Sequence, residues 1–156
     1  MSLRDLQEAA KNEMQTLFAD YRIKGTDGNP TGFNFFVGKV PLPTSNDEPE
    51  PIPYILVRSV TGVVPESAKD SPQTAKVVFM VATYDDNETY TAENDVLAVI
   101  QRIIERFSID TLLAGKYNRT GDMEWSLADE DTYPYQFAGI EINFTLPSLA
   151  REDDYS

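Results

Sequence analysis

Thr74-Ala75-Lys76-Val77-Val78-Phe79-Met80-Val81-Ala82-Thr83-Tyr84 decides how the rest of the chain is read. Its centre, Val77 to Ala82, is apolar at every position and rich in β-branched side chains, which favours a strand. An apolar run without alternation is the pattern of a central strand covered on both faces. Upstream, Tyr54 to Val60 is a second strand, with Ile55-Leu56-Val57 nearly continuous in apolar character. Residues 61–73 between them carry Gly62, Pro65, Ser67, Asp70, Ser71 and Pro72 and read as a turn, so the two runs are expected to form a long hairpin.

Downstream of Tyr84-Asp85-Asp86 the period changes. Val96, Leu97, Ile100, Ile103, Ile104 and Phe107 recur at helical spacing, which predicts a helix from near Ala92 to near Phe107. Arg102 and Arg106 lie in its C-terminal half, where cations complement the helix dipole. Residues 108–118 hold Gly115 and Tyr117-Asn118, and read as a turn with room for a short strand. Asp122 to Leu127 and Phe137 to Leu146 are two further strands. In the last, Ile140, Ile142, Phe144 and Leu146 alternate with Glu141, Asn143 and Thr145, the pattern of a half-buried strand.

Upstream of the hairpin, residues 2–20 read as a helix. Ser2 with Asp5 three positions on resembles a capping box. Leu3, Leu6, Ala10, Met14, Leu17, Phe18 and Tyr21 give it one apolar face, and Gly25, Gly28 and Pro30 end it. Phe33 to Val40 is an aromatic strand. Residues 41–53 contain five prolines with Asp47, Glu48 and Glu50, so they are expected to form an extended, exposed loop outside any central strand. No repeat or linker divides the chain. Residues 1–150 are read as one domain and 151–156 as a short acidic tail.

Composition removes whole classes of chemistry. The 156 residues include no cysteine and no histidine, so disulfides, thiolate metal sites and the usual general base of a nucleophilic triad are absent. The remaining candidate bases are carboxylates and lysines. The densest acidic groups are Asp85-Asp86, Asp129-Glu130-Asp131 and Asp47/Glu48/Glu50. Glycoside hydrolysis would need one pair held at a defined separation, and no spacing singles one out. Asp129-Glu130-Asp131 lacks the alternating ligands and central glycine of a calcium loop, and Lys24-Gly25-Thr26-Asp27-Gly28 lacks P-loop spacing and follows a helix. No cofactor or metal is expected. The net charge of −13 argues against direct wrapping of nucleic acid, whose affinity rests on Lys and Arg. Its first reading is simple solubility, and it does not exclude a wall past which DNA moves without sticking. Met1-Ser2-Leu3-Arg4-Asp5 lacks the apolar core of a signal peptide, and no apolar run reaches the ~18 residues of a membrane span. Trp125, the single tryptophan, has two readings: packing within the fold, or anchoring a subunit contact.

Several segments in fixed order carry a family resemblance. They are the helix from Leu3 to Tyr21, Pro53-Tyr54-Ile55-Leu56-Val57-Arg58, Ala82-Thr83-Tyr84-Asp85 and the run from Asn94 to Ile103. Glu124-Trp125, Tyr133-Pro134-Tyr135-Gln136-Phe137-Ala138-Gly139, Ile142 to Pro147 and Arg151-Glu152-Asp153 complete the series. The order resembles the small minor tail proteins of long-tailed phages and prophages, of the tail-terminator or tail-completion kind. That resemblance implies an α+β domain: a mixed, mostly antiparallel sheet with two amphipathic helices packed on one face. It implies a non-enzymatic structural protein located in the virion tail and made in the bacterial host cytoplasm. Such subunits form rings, typically hexamers, that join the tail tube to the head connector while DNA passes nearby without tight binding. Asp85, Asp86, Asp129, Glu130 and Asp131, with Trp125, are then the candidate lumen or interface residues. The competing reading is an acidic inhibitor or DNA mimic that binds a basic partner. A third, a carboxylate-dependent hydrolase, needs two acids with separated pKa values in a pocket.

Overall fold

The computed structural model describes residues 2–41, 51–66, 71–86 and 92–147. The proline-rich 42–50 segment, residues 67–70 and the acidic tail lie outside the described residues. Helix α1 spans Leu3–Leu17 and begins as its sequence dictates: Ser2 Oγ accepts from Asp5 N at 3.1 Å, and Asp5 Oδ2 accepts from Ser2 N at 3.0 Å. Strands β1 (Ile23–Lys24) and β2 (Pro30–Thr31) form a small separate hairpin. Its turn places Gly28 at φ +86°, a conformation that favours glycine. Gly25 and Gly28 therefore do more than stop a helix. Gly25 N donates to Asn29 O at 2.8 Å, which closes the hairpin.

Strands β3 (Asn34–Val37), β4 (Tyr54–Val63), β5 (Thr74–Tyr84), β6 (Leu112–Leu113), β7 (Tyr117–Leu127) and β8 (Tyr135–Thr145) build one curled sheet of order β3-β4-β5-β8-β7-β6. Only β3–β4 is parallel, so the sheet is mixed and mostly antiparallel. The expected β4–β5 hairpin is present, with a bulge between Ser59 and Thr61. Just beyond it a Cβ at Gly62 would overlap the carbonyl oxygen of Thr74, so the close approach of the two strands requires glycine there. The ambiguous 108–118 region resolves into the end of α2 (Ala92–Ile109), the two residues of β6 and the start of β7.

Both helices pack on one face of the sheet, α1 over β3 and β4, α2 over β5 and β8. Leu6, Ala10 and Met14 of α1, and Val96, Val99, Ile100, Ile103 and Phe107 of α2, bury against Ile55, Val57, Val77, Phe79, Val81, Ile140, Ile142 and Phe144 in one core. Phe107 contacts Phe79 and Phe144 at ring-centroid distances of 6.1 and 5.5 Å. The helices are also tied to each other. Arg106 Nη2 donates to Glu13 Oε1 at 2.6 Å and to Leu112 O at 2.9 Å, and Arg102 Nε donates to Leu17 O at 3.1 Å. Arg106 thereby clamps α1, α2 and β6 together, beyond any service to the dipole of its own helix.

One expectation fails. Strand β5 is not covered on both faces. Ala75, Val77, Phe79, Val81 and Thr83 face the helices and are buried, whereas Val78 is only half-buried and Met80 is 40% exposed on the opposite face. Side chains alternate along a strand, and here both helices lie on the same side. The continuous apolar run marks one core-facing row and a second row that is open at Val78 and Met80 and covered at Ala82, which is 0% exposed.

The two rows should respond differently to charge. Phe79→Asp places an unpaired carboxylate in the core and is expected to cost about 4 kcal/mol or more. Met80→Asp on the open face is expected to stay within about 1 kcal/mol of the parent. Urea unfolding of both variants checks this, and equal loss of stability would refute the one-sided layering.

Candidate functional site: an acidic sheet end and an open sheet face

Two of the acidic groups singled out in the sequence, Asp85-Asp86 and Asp129-Glu130-Asp131, converge at one end of the sheet; Asp47, Glu48 and Glu50 lie outside the described residues. Strand β5 ends where β8 begins, with Tyr84 opposite Tyr135. Beyond that rung Asp85 N donates to Pro134 O at 2.9 Å, and Tyr133 Oη donates to Asp86 O at 2.6 Å. These bonds hold the β7–β8 connection, which carries Asp129, Glu130 and Asp131, beside Asp85-Asp86. Asp129, Glu130 and Asp131 are exposed, and Asp131 Oδ1 accepts from Tyr133 N at 3.2 Å.

Asp85 does not share that exposure. It is 9% exposed, and its carboxylate lies 3.6 Å from Lys24 Nζ of β1. The same ammonium sits 2.5 Å from Asp86 Oδ1. The hydrogen bond from Lys24 holds the Asp86 carboxyl below its ordinary range, and the same bond raises the lysine. Asp95, in the first turn of α2, moves the other way: burial raises it, and the charge of Asp85 adds to the effect. Carboxylates pushed apart in this way are the raw material of acid–base chemistry. Three grooves on the surface are lined elsewhere, however, by β5, β7 and β8, by the β4–β5 hairpin and by α1 with β6. Among the described residues no group of three or more His, Cys, Asp or Glu side chains is placed to hold a metal ion.

The second feature is the uncovered sheet face. Register sets its rows. Phe36, Leu56, Met80, Gly139 and Ser126 cross the sheet in one line, and Tyr54, Ala82 and Phe137 in the next. The row after Met80 runs Arg58, Val78, Glu141, Glu124. Phe36 packs on Tyr54 with centroids 5.9 Å apart, and Tyr84 on Tyr135 at 5.8 Å. A shallow trough of about 780 Å³ runs along β7 and β8 on this side. Trp125 borders the trough, but it stands opposite the core residue Ile140 in register, so its side chain leaves β7 on the helix side, where it is 52% exposed. The indole is thus only partly used by the fold. A third apolar region lies at the outer part of the β4–β5 hairpin, where Val60, Val63 and Val64 are exposed.

Comparison with known protein families and with curated proteins finds no match to this chain. Among the described residues, no helix is long and apolar enough to cross a membrane. Lys24, Asp95 and Tyr133 were not expected at the acidic end. Lys24 lies 62 residues from Asp86 in sequence, and nothing local to either residue signals the pairing. Gly139 did leave a signal, since glycine inside a strand marks open space or a close approach.

Asp95 offers a test of the electrostatics. Its carboxyl is raised above the ordinary 3.8, so the folded chain holds that proton more tightly than the unfolded chain does. The ionised form therefore costs stability at neutral pH, and the cost fades as pH falls through the folded value toward 3.8. Asp95→Asn is expected to melt higher than the parent at pH 7, with the advantage shrinking toward pH ~4. Thermal melts across that range read the outcome. A variant that melts lower at pH 7 would show that the favourable helix N-terminus outweighs burial.

Proposed function

We propose that this chain is a ring-forming structural subunit of a phage or prophage tail, of the terminator or completion kind, working between tail tube and head connector. The observation that carries the reading is the one-sided sheet. A core sealed on one face, with an aromatic and aliphatic face left open on the other, is the economy of a protein completed by partners. The ordered segment pattern of the sequence points the same way. The acidic sheet end and the valine-bearing hairpin give the subunit unlike surfaces, and head-to-tail contacts between unlike surfaces generate rings when the rotation closes.

The acidic end has a role in this reading. Asp86, Asp129, Glu130 and Asp131 at a ring opening would repel phosphate over about a Debye length, ~8 Å at physiological salt. Asp85 is better assigned to holding Lys24 and the β7–β8 connection. A DNA mimic would need a dense carboxylate stripe. Here the acids gather at one end and Lys24 neutralises part of them, which favours the ring over the mimic.

Native mass spectrometry at rising concentration, with and without tail-tube protein, tests the proposal. The expected result is a closed oligomer, a hexamer by resemblance, that binds tube ends. A strict monomer at high concentration with no affinity for tube ends would overturn it.

A further inference from the structure

We propose that the trough on the open sheet face is a docking site for an extended, cationic and apolar segment of a protein other than a second copy of this chain. The inference stands on the surface itself and holds whether or not the chain closes a ring.

The shape of the trough comes from missing side chains. Gly139 sits in register between Met80 and Ser126, so a large side chain on one flank gives way to almost none. The backbone does not demand glycine at this point. A Cβ there would meet Phe79 O at 3.7 Å and Val78 Cγ1 at 4.0 Å, which is ordinary contact. The glycine therefore opens space without relieving strain, and Val78, Met80 and Phe137 supply apolar walls.

Charge defines the occupant. Glu124 and Glu141 stand directly opposite each other across β7 and β8, an arrangement that is unfavourable for like charges. Lys76 Nζ lies 3.3 Å from Glu141 Oε2, while Glu124 has no ion pair among the described residues. Of the two facing carboxylates, only Glu141 has a cation among the described residues, and Glu124 is left without one at the end of an apolar trough. A Lys or Arg from outside completes the set. Spacing sharpens the match: Gly139 and Glu141 are two residues apart on β8, about 6.8 Å. An extended segment places side chains i and i+2 on one face at the same interval. An apolar side chain seated over Gly139 and a cation two residues on would reach the glutamates together. A second copy fits poorly, because each chain carries a net charge of −13 and would bring further acid to an acidic wall.

The test uses a dye-labelled octapeptide with leucine and lysine two residues apart on a serine background, and a counterpart with glutamate replacing lysine. Fluorescence anisotropy against the full chain reads binding. The expected result is saturable binding of the lysine peptide alone, weakened by high salt. Glu124→Lys should weaken it at least tenfold, and Gly139→Val, which fills the trough, should abolish it. Gly139→Ala serves as the milder filler if the valine variant misfolds, as judged by its unfolding midpoint. The proposal is overturned if neither peptide saturates, if both bind equally, or if the Glu124 and Gly139 variants bind like the parent. Self-association of the unliganded chain that Gly139→Val blocks would make a second copy the occupant, and would also overturn it.

Discussion

The pairing of β5 with β8 is the constraint on which the rest of the structure depends. Eleven consecutive rungs, from Thr74 opposite Thr145 to Tyr84 opposite Tyr135, run without a bulge through the centre of the sheet. Because side chains alternate, that register puts Val77, Phe79 and Val81 on one face with Ile142, Ile140 and Ala138. A slip of one residue would turn Phe79 and Val81 out of the core. Irregularity is confined to the flanking pairs. The β4–β5 pair bulges at Ser59/Thr61, and β7 swings out between Thr120 and Glu124, where Gly121 adopts φ +70°. A regular centre with bulged neighbours lets the sheet curl without disturbing the core ladder.

Much of this was legible in the chain, and the misreadings have physical causes. The Ser2–Asp5 cap, the bounds of β5 and the alternation from Ile140 to Phe144 are local signals that structure cannot easily override. The exposure of Met80 was not legible, because an apolar run carries no mark of whether its second row meets a helix or nothing. Sequence order likewise could not pair Lys24 with Asp85 and Asp86, so Asp85 looked like a solvent-facing acid. Asp129, Glu130 and Asp131 are exposed, in keeping with an acidic loop that has no apolar side chain to enter the core. Tyr117, fully buried at the start of β7, shows why residues 108–118 resisted assignment: one inward side chain anchors a segment that otherwise resembles a turn.

The two faces divide the labour of the molecule. Helices α1 and α2, joined by Arg106 and Arg102, seal one side and supply the stability of the domain. The other side, from Phe36 across Leu56 and Met80 to Gly139, lies outside that core; Leu56 is covered there, and Met80 is 40% exposed. The acidic end adds a third character, polar and partly locked by Lys24. Three chemically distinct surfaces on so small a frame would let unlike partners be told apart.

The central claim is that one sheet face is sealed and the other open, and methionine oxidation measures it directly. Met14 is 0% exposed in the core and Met80 is 40% exposed on the open face. Brief peroxide treatment of the dilute, unassembled chain converts accessible thioethers to sulfoxides, and peptide mass spectrometry reads each site. The account predicts rapid modification at Met80 with Met14 protected until the domain unfolds. Equal protection of both, or oxidation of Met14 in the folded chain, would contradict it.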